Sequence, residues 1–199
     1  GNTLTYGLGF RVADPDKRIV GVAAGGTAFS VNGDDGNQNY KKGLFTNAAK
    51  ITSEFEFSYK QRVGGFVRGF AFYDFTNQNG DRARTPLTDE AKDRVGARAE
   101  FRDAFLWWRF KAGSRAGEIR GGWQVINWGE STFIQGGINA INPIDVSALR
   151  VPGAELRDAL LPVGAAFLSL KPSENTALEV YYQYDWEETQ IDPVGSYFS

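Results

Sequence analysis

The chain has 199 residues, a formal net charge of -2 and a sequence pI of about 5.3. That length suits one domain with a sizeable core, and the charge leaves no basic face for phosphates, which argues against a nucleic-acid partner. Cysteine, histidine and methionine are absent, which excludes a disulfide framework, a thiolate site, imidazole catalysis and imidazole metal ligation. Hydrophobic content is 42%, yet no run reaches the length of a transmembrane helix. The first residue is Gly1 rather than Met, as expected after signal-peptide removal or truncation.

What remains is a rhythm of two. Leu4, Tyr6, Leu8, Phe10 and Val12 alternate with Thr5, Gly7, Gly9 and Arg11. Successive strand residues point to opposite faces, so a first strand near 2–13 has one apolar wall. A long insertion follows, from Asp14 to about Asn47. The second strand, near 48–60, sets Ile51, Phe55, Phe57 and Tyr59 against Thr52, Glu54, Glu56, Ser58 and Lys60. A turn at Gln61–Gly65 leads to the third strand, Phe66 to about Asn77, where Arg68 and Asp74 share a face with Phe66, Phe70 and Phe72. A polar loop, Asn79–Arg94, precedes the fourth strand near 96–111. There Arg98, Glu100 and Arg102 share a parity that Ala104, Leu106, Trp108 and Phe110 take over beyond Asp103. A β-bulge at Arg102 or Asp103 reconciles the two halves. Trp107 and Trp108 suit an aromatic girdle.

A short turn through Gly113–Gly117 leads to the fifth strand near 118–129, and a loop of about thirty residues then reaches Leu161. The sixth strand lies near 162–171, with a turn at Pro172–Asn175. In the seventh, near 176–188, Leu178, Val180, Tyr182, Tyr184 and Trp186 oppose Glu179, Gln183, Asp185 and Glu187, with Tyr181 among the latter.

A soluble antiparallel sheet also alternates, but it seldom carries tall aromatics on one face of every strand. Long and short connections also take turns, which places all long loops at one end, as in outer-membrane barrels. The expected fold is therefore an all-β, antiparallel transmembrane β-barrel with long outer loops and short periplasmic turns. About seven strands are an odd number for a bacterial barrel, so residues 1–199 are expected to be the N-terminal portion of a larger barrel domain.

Several segments are distinctive as words. They are Gly25–Gly43 (GGTAFSVNGDDGNQNYKKG), Phe72–Phe75 (FYDF), Asp81–Asp93 (DRARTPLTDEAKD), Trp128–Leu156 and Tyr182–Ser199 (YQYDWEETQIDPVGSYFS). Together they resemble the proteobacterial outer-membrane family catalogued as domain of unknown function 1302, over nearly the whole chain. The resemblance implies a signal peptide upstream, further strands downstream and a Gram-negative outer-membrane location. Family members often accompany genes for degrading steroids, terpenes or other hydrophobic compounds, and genes for lipid-type exporters. Passage of an apolar solute is what this implies.

Candidate site residues follow from the polar parity. Glu54, Glu56, Arg68, Asp74, Arg98, Glu100, Glu179 and Gln183 are expected to line the lumen. Phe70 and Phe72 share that side, either as an apolar patch for a greasy solute or as rings packed under an infolded loop. The loop from Ser131 to Leu160 carries Phe133, Ile134, Ile138, Ile141, Ile144, Val146 and Leu149, too apolar for water. It is expected either to fold into the lumen, with Asp145 and Arg150 at a constriction, or to form a lid over neighbouring loops.

Asp34, Asp35, Asn37 and Asn39 have the oxygen-rich, glycine-broken look of a calcium loop, although a polar loop with Asx turns reads the same way. No other cofactor is implied. The charges of Asp81–Arg94 read as head-group contacts or as local ion pairs. Glu54 and Glu56 share a face, as paired catalytic carboxylates would, but alternation already explains them, so no enzyme is expected.

The function expected is porin-like passage of a small hydrophobic molecule across the outer membrane, with lipid and solute as partners. The alternatives are an occluded barrel that docks a periplasmic or transporter partner, and a soluble ligand-binding β-sandwich.

Overall fold

Each expected strand forms, and each pairs antiparallel with the next. The computed structural model describes residues 1–30, 35–113, 115–128 and 141–199. The strands are β1 (Asn2–Arg11), β2 (Gly43–Tyr59), β3 (Val63–Asp74), β4 (Ala97–Ala112), β5 (Arg115–Gln124), β6 (Val163–Ser173) and β7 (Thr176–Gln183). They make one seven-stranded sheet in sequence order. The sheet is open: among the described residues, the outer edges of β1 and β7 carry no partner strand. No described helix is long and apolar enough to cross a membrane, which says nothing about strands.

Alternation decides which side chains meet. Across β1 and β2, Leu4 faces Ile51 and Tyr6 faces Ala49. Across β2, β3 and β4, Phe55, Val67 and Ala104 fall in one row, and Phe57, Gly65 and Leu106 in the next. The apolar face is therefore continuous from β1 to β7. Two β4 residues, Arg102 and Asp103, stand where β3 offers only Arg68, between the pairs Gly69–Phe101 and Val67–Ala104. This is the expected bulge, and it turns both charged side chains to the polar face.

Short turns close one end of the sheet. Lys60 and Gln61 both adopt positive φ, 50° and 53°, between β2 and β3, the backbone twist that a tight hairpin needs. The long connections gather at the other end, where they carry α1 (Asp35–Asn39), α2 (Phe75–Asn79), α3 (Asp89–Val95) and α4 (Leu156–Ala159). Thr88 caps α3 by accepting from the Ala91 N–H at 3.1 Å, with Asp89 and Glu90 in its first turn and Lys92 and Arg94 in its last. Both charge placements complement the helix dipole.

β2 begins at Gly43 rather than 48, taking in residues expected to belong to the insertion, and β3 and β5 each begin three residues early. Three C-terminal ends also differ from expectation, the first two because a side chain captures the backbone. β3 ends at Asp74 rather than Asn77, since Asp74 caps α2 by accepting from Thr76 and Asn77 N–H. β5 ends at Gln124 rather than 129. There Val125 donates to Asp103 at 3.2 Å and Ile126 to Asn142 at 2.9 Å, which draws the chain to the polar side. β7 stops at Gln183, beyond which Tyr184 and Asp185 both donate to the Gly164 carbonyl.

Residues 141–162 lie against the polar face. Asn142 fixes their root, donating to the Leu161 carbonyl at 2.9 Å, while Asp145 N–H donates to Ala159 at 2.7 Å. Beneath them Ile126, Val163, Ala165 and Phe167 form a buried cluster against which Trp128, Ile141 and Tyr181 pack. The segment reaches as far as β1. A Cβ on Gly7 would meet Pro152 at 2.1 Å, and one on Gly153 would meet Thr5 at 2.4 Å.

Candidate functional site: an ion-paired polar face

The two faces of the sheet have opposite chemistry. Leu4, Phe101 and Tyr182 on the apolar face are 79%, 81% and 72% exposed. Exposed apolar side chains occur singly on any protein, but a face of them running across seven strands marks contact with an apolar surrounding or partner. Aromatic rings concentrate at its ends. Tyr59 and Trp108 stand near the short turns, and Tyr73, Trp123, Tyr184 and Trp186 near the long connections. Trp107 departs from the expected girdle. It lies on the polar face, 6% exposed, against Gly64 and under the Arg109 guanidinium at 4.3 Å.

On the polar face, basic residues from the strands meet acids of the infolded segment. Arg98 reaches Asp145 at 2.7 Å and Glu100 at 3.0 Å. Arg102 approaches the same two carboxylates at 3.5 and 3.4 Å. Lys50 bonds Asp158 at 2.7 Å, and Arg68 bonds Asp103 at 2.8 Å while lying 3.8 Å from Asp158. Arg157 bonds Glu54 at 2.8 Å. The segment is thus tied to β2, β3 and β4 by pairs that are mostly buried, where losing one partner costs far more than at a surface.

Burial raises the Asp145 carboxyl, but the Arg98 guanidinium and bonds from Ser147 and the Ala148 N–H outweigh it, so the carboxyl sits below its ordinary value. Burial likewise opposes Asp158, and bonds from Lys50 and the Glu155 N–H, with Arg68 nearby, hold it below the ordinary value too. A carboxylate with a depressed folded-state pKa gives stability that is fully present above its unfolded value and lost as pH falls through the folded one. The segment is therefore expected to stay seated at neutral pH and to let go only in acid below about pH 4. Hydrogen-exchange protection of the Asp145, Val146 and Leu161 amides across pH 3–7 checks this. Release beginning near pH 6 would assign control to a different group.

The expected lumen residues separate into roles. Arg68, Arg98 and Glu100 belong to the ion-pair network. Phe70 and Phe72 face the same side, and Arg98 stacks over both at 5.3 and 5.7 Å, while Arg102 stacks over Phe70 at 4.9 Å. These rings pack beneath the network that holds the segment. Glu54 is paired, whereas Glu56 and Glu179 are exposed. Gln183 donates to the Asp185 carbonyl at 3.0 Å.

Asp74 is a buried hub. It accepts from Thr46 Oγ1, Asn47 N–H, Thr76 N–H, Asn77 N–H and Asn77 Nδ2, which uses its lone pairs within the fold. Asp74→Ala removes a helix cap and leaves buried donors unsatisfied. A loss of about 2–3 kcal/mol is expected, read as a lowered midpoint in denaturant.

Arg150 pairs with Asp192 at 3.5 Å and lies over the Phe198 ring at 4.2 Å. Asp145 holds the segment together with Lys50, Arg98, Arg102, Arg157 and Asp158, while Asp103 pairs with Arg68 within the strands. Extending the polar parity of β2 back from Thr52 reaches Lys50, which is not among the expected lumen residues, and Arg102 already stands on the polar parity of β4; nothing in the local pattern names the partners of these residues.

Asn39 donates to the Thr85 and Gly195 carbonyls and accepts from the Arg84 and Thr85 N–H groups. It fastens the outer connections together. Asp34 and the side chains of Asp35 and Asn37 lie outside the described residues, as do Phe133, Ile134 and Ile138. Among the described residues, no group of three or more acidic side chains is placed to hold a metal ion. Next to Asn39, Tyr40 donates to Asn77 at 2.7 Å, and burial pushes its hydroxyl up to about 12, so it remains a donor.

These features define an all-β protein whose one antiparallel sheet is apolar on one face and crossed on the other by an ion-paired segment. The family model for a protein of unknown function, DUF1302, matches residues 1–199, and the chain belongs to that family. No curated protein and no solved structure matches it.

Proposed function

We propose that this chain forms part of the wall of a bacterial outer-membrane β-barrel whose interior passes a small, hydrophobic molecule. The apolar face carries the reading. It runs unbroken through seven strands, is edged by aromatics at both ends, and has no packed partner among the described residues. β2 and β4, at 17 and 16 residues, exceed the roughly 9–11 that a tilted strand needs to cross hydrocarbon. Lipid tolerates no unpaired backbone, so β1 and β7 would each pair with a further strand to close the wall. The polar face would then line the lumen and the segment 141–162 would narrow it. Passage requires positioning and exclusion rather than catalysis, and no catalytic residue is assigned.

An occluded barrel that docks an envelope transport partner is the second reading. The buried pairs that fasten the segment across the polar face favour it. Single-channel conductance of the full-length product in a planar bilayer, with and without progesterone, separates the two. Steady ionic steps that progesterone blocks support passage. Heat-modifiable insertion without steps supports the occluded barrel, and failure to insert removes both readings.

A further inference from the structure

The sheet steps down between β4 and β5. β4 pairs with β5 only from Ala104 to Ala112, and residues 97–103 continue past that last rung. β5 and β7 have ended by this height, and the chain beyond Trp186 crosses to the polar side, where Gln190 bonds Ile144 and Val146. Among the described residues, no strand pairs with this stretch of the β4 edge on the β5 side.

Two adjoining cavities of about 870 and 530 Å³ occupy the step, and Glu100, Glu187 and Gln190 line both. Volumes of this order accept small-molecule ligands. The smaller one joins the two chemistries of the sheet: Phe101, Ala104 and Trp123 come from the apolar face, and Glu100 and Arg102 from the polar one.

Arg102 marks the polar end. Its side chain is 2% exposed, and only Nη2 approaches Glu100 and Asp145. Its Nε and Nη1 are buried without a hydrogen-bond partner among the described residues, an unfavourable state for a donor. The charge there is already balanced, because Arg98 and Arg102 meet Glu100 and Asp145. The unmet need is thus an acceptor oxygen, not another charge. Glu90, Asp93, Glu187 and Glu188 line the larger cavity and outnumber Arg94 and Arg98 there, which disfavours an anion.

We propose that this notch is a side entrance from the membrane for an uncharged apolar molecule bearing a carbonyl or similar acceptor oxygen. Its apolar body lies along Phe101 and Trp123, and its oxygen accepts from Arg102. The proposal rests on the outer-membrane reading above and adds a route and a ligand class to it.

Equilibrium binding of progesterone to the full-length protein in lipid nanodiscs tests it, with conductance recorded on the same preparations. Arg102→Gln and Phe101→Ala are each expected to weaken progesterone binding about tenfold. Phe101 projects from the sheet and pairs with no charged group, so its variant remains informative if Arg102→Gln fails to fold. Phe57→Ala, on the same face near the turns, is expected to bind as the wild type does. Oleate, a carboxylate of comparable apolarity, is expected to bind more weakly than progesterone. Equal binding by all variants, or a preference for oleate, overturns the notch. Ionic conductance without progesterone binding also overturns it while leaving the barrel standing. A protein that does not insert at all overturns both.

Discussion

Asp145→Ala is expected to cost about 3–5 kcal/mol of folding stability and to free the segment 141–162 from the polar face. Asp145 is completely buried. Its carboxylate accepts from Arg98 at 2.7 Å, Ser147 at 2.8 Å and the Ala148 N–H at 3.1 Å. Removing it leaves Arg98 and Arg102 buried with only Glu100 for charge balance, and an uncompensated buried charge is among the most costly local changes. The expected results are a lowered denaturation midpoint in nanodiscs and, under the pore reading, a larger single-channel step. Arg98→Ala made alone and with Asp145→Ala completes a double-mutant cycle. A coupling near zero would show that the pair does not hold the segment. Gly7→Leu supplies an independent route to the same opening, since its side chain would collide with Pro152 without touching any charge.

Ile51→Arg should lower the stability of the membrane-inserted protein by about 2–4 kcal/mol. Ile51 is central in β2, faces the apolar side opposite Leu4 and Ala71, and is 45% exposed. In water a half-exposed isoleucine tolerates arginine at small cost, so the size of the effect reports the surroundings of that face. Glu56→Arg, on the polar face of the same strand and also exposed, is the control and should change little. Urea titration of folding into short-chain phosphatidylcholine vesicles measures both. Equal, small losses would mean that the apolar face does not meet lipid.

The strands were legible in the sequence because their signal is local. Leu4 to Phe10, Phe55 to Tyr59 and Leu178 to Tyr182 each declare both faces within a few residues, and the change of parity at Asp103 reveals the bulge. The alternation of long and short connections is equally local. Strand ends were read less well, because capture by distant side chains sets them: Asp103 takes the Val125 amide and Asn142 the Ile126 amide. Parity already put Trp108 with the apolar residues of β4, yet both tryptophans were expected in the girdle; Trp107, one residue out of step, packs against Gly64 on the polar face.

The apolar and polar walls of this sheet follow from the two-residue repeat of its strands, and the common end of the long connections follows from their alternation with short ones. Which charges meet is settled only in three dimensions. Lys50 and Asp158 lie 108 residues apart, and Arg98 and Asp145 lie 47 apart. Nothing in the local pattern of either partner names the other. Their pairing depends on where residues 141–162 come to rest, and that depends on the buried apolar cluster beneath them and on the width of the sheet they cross.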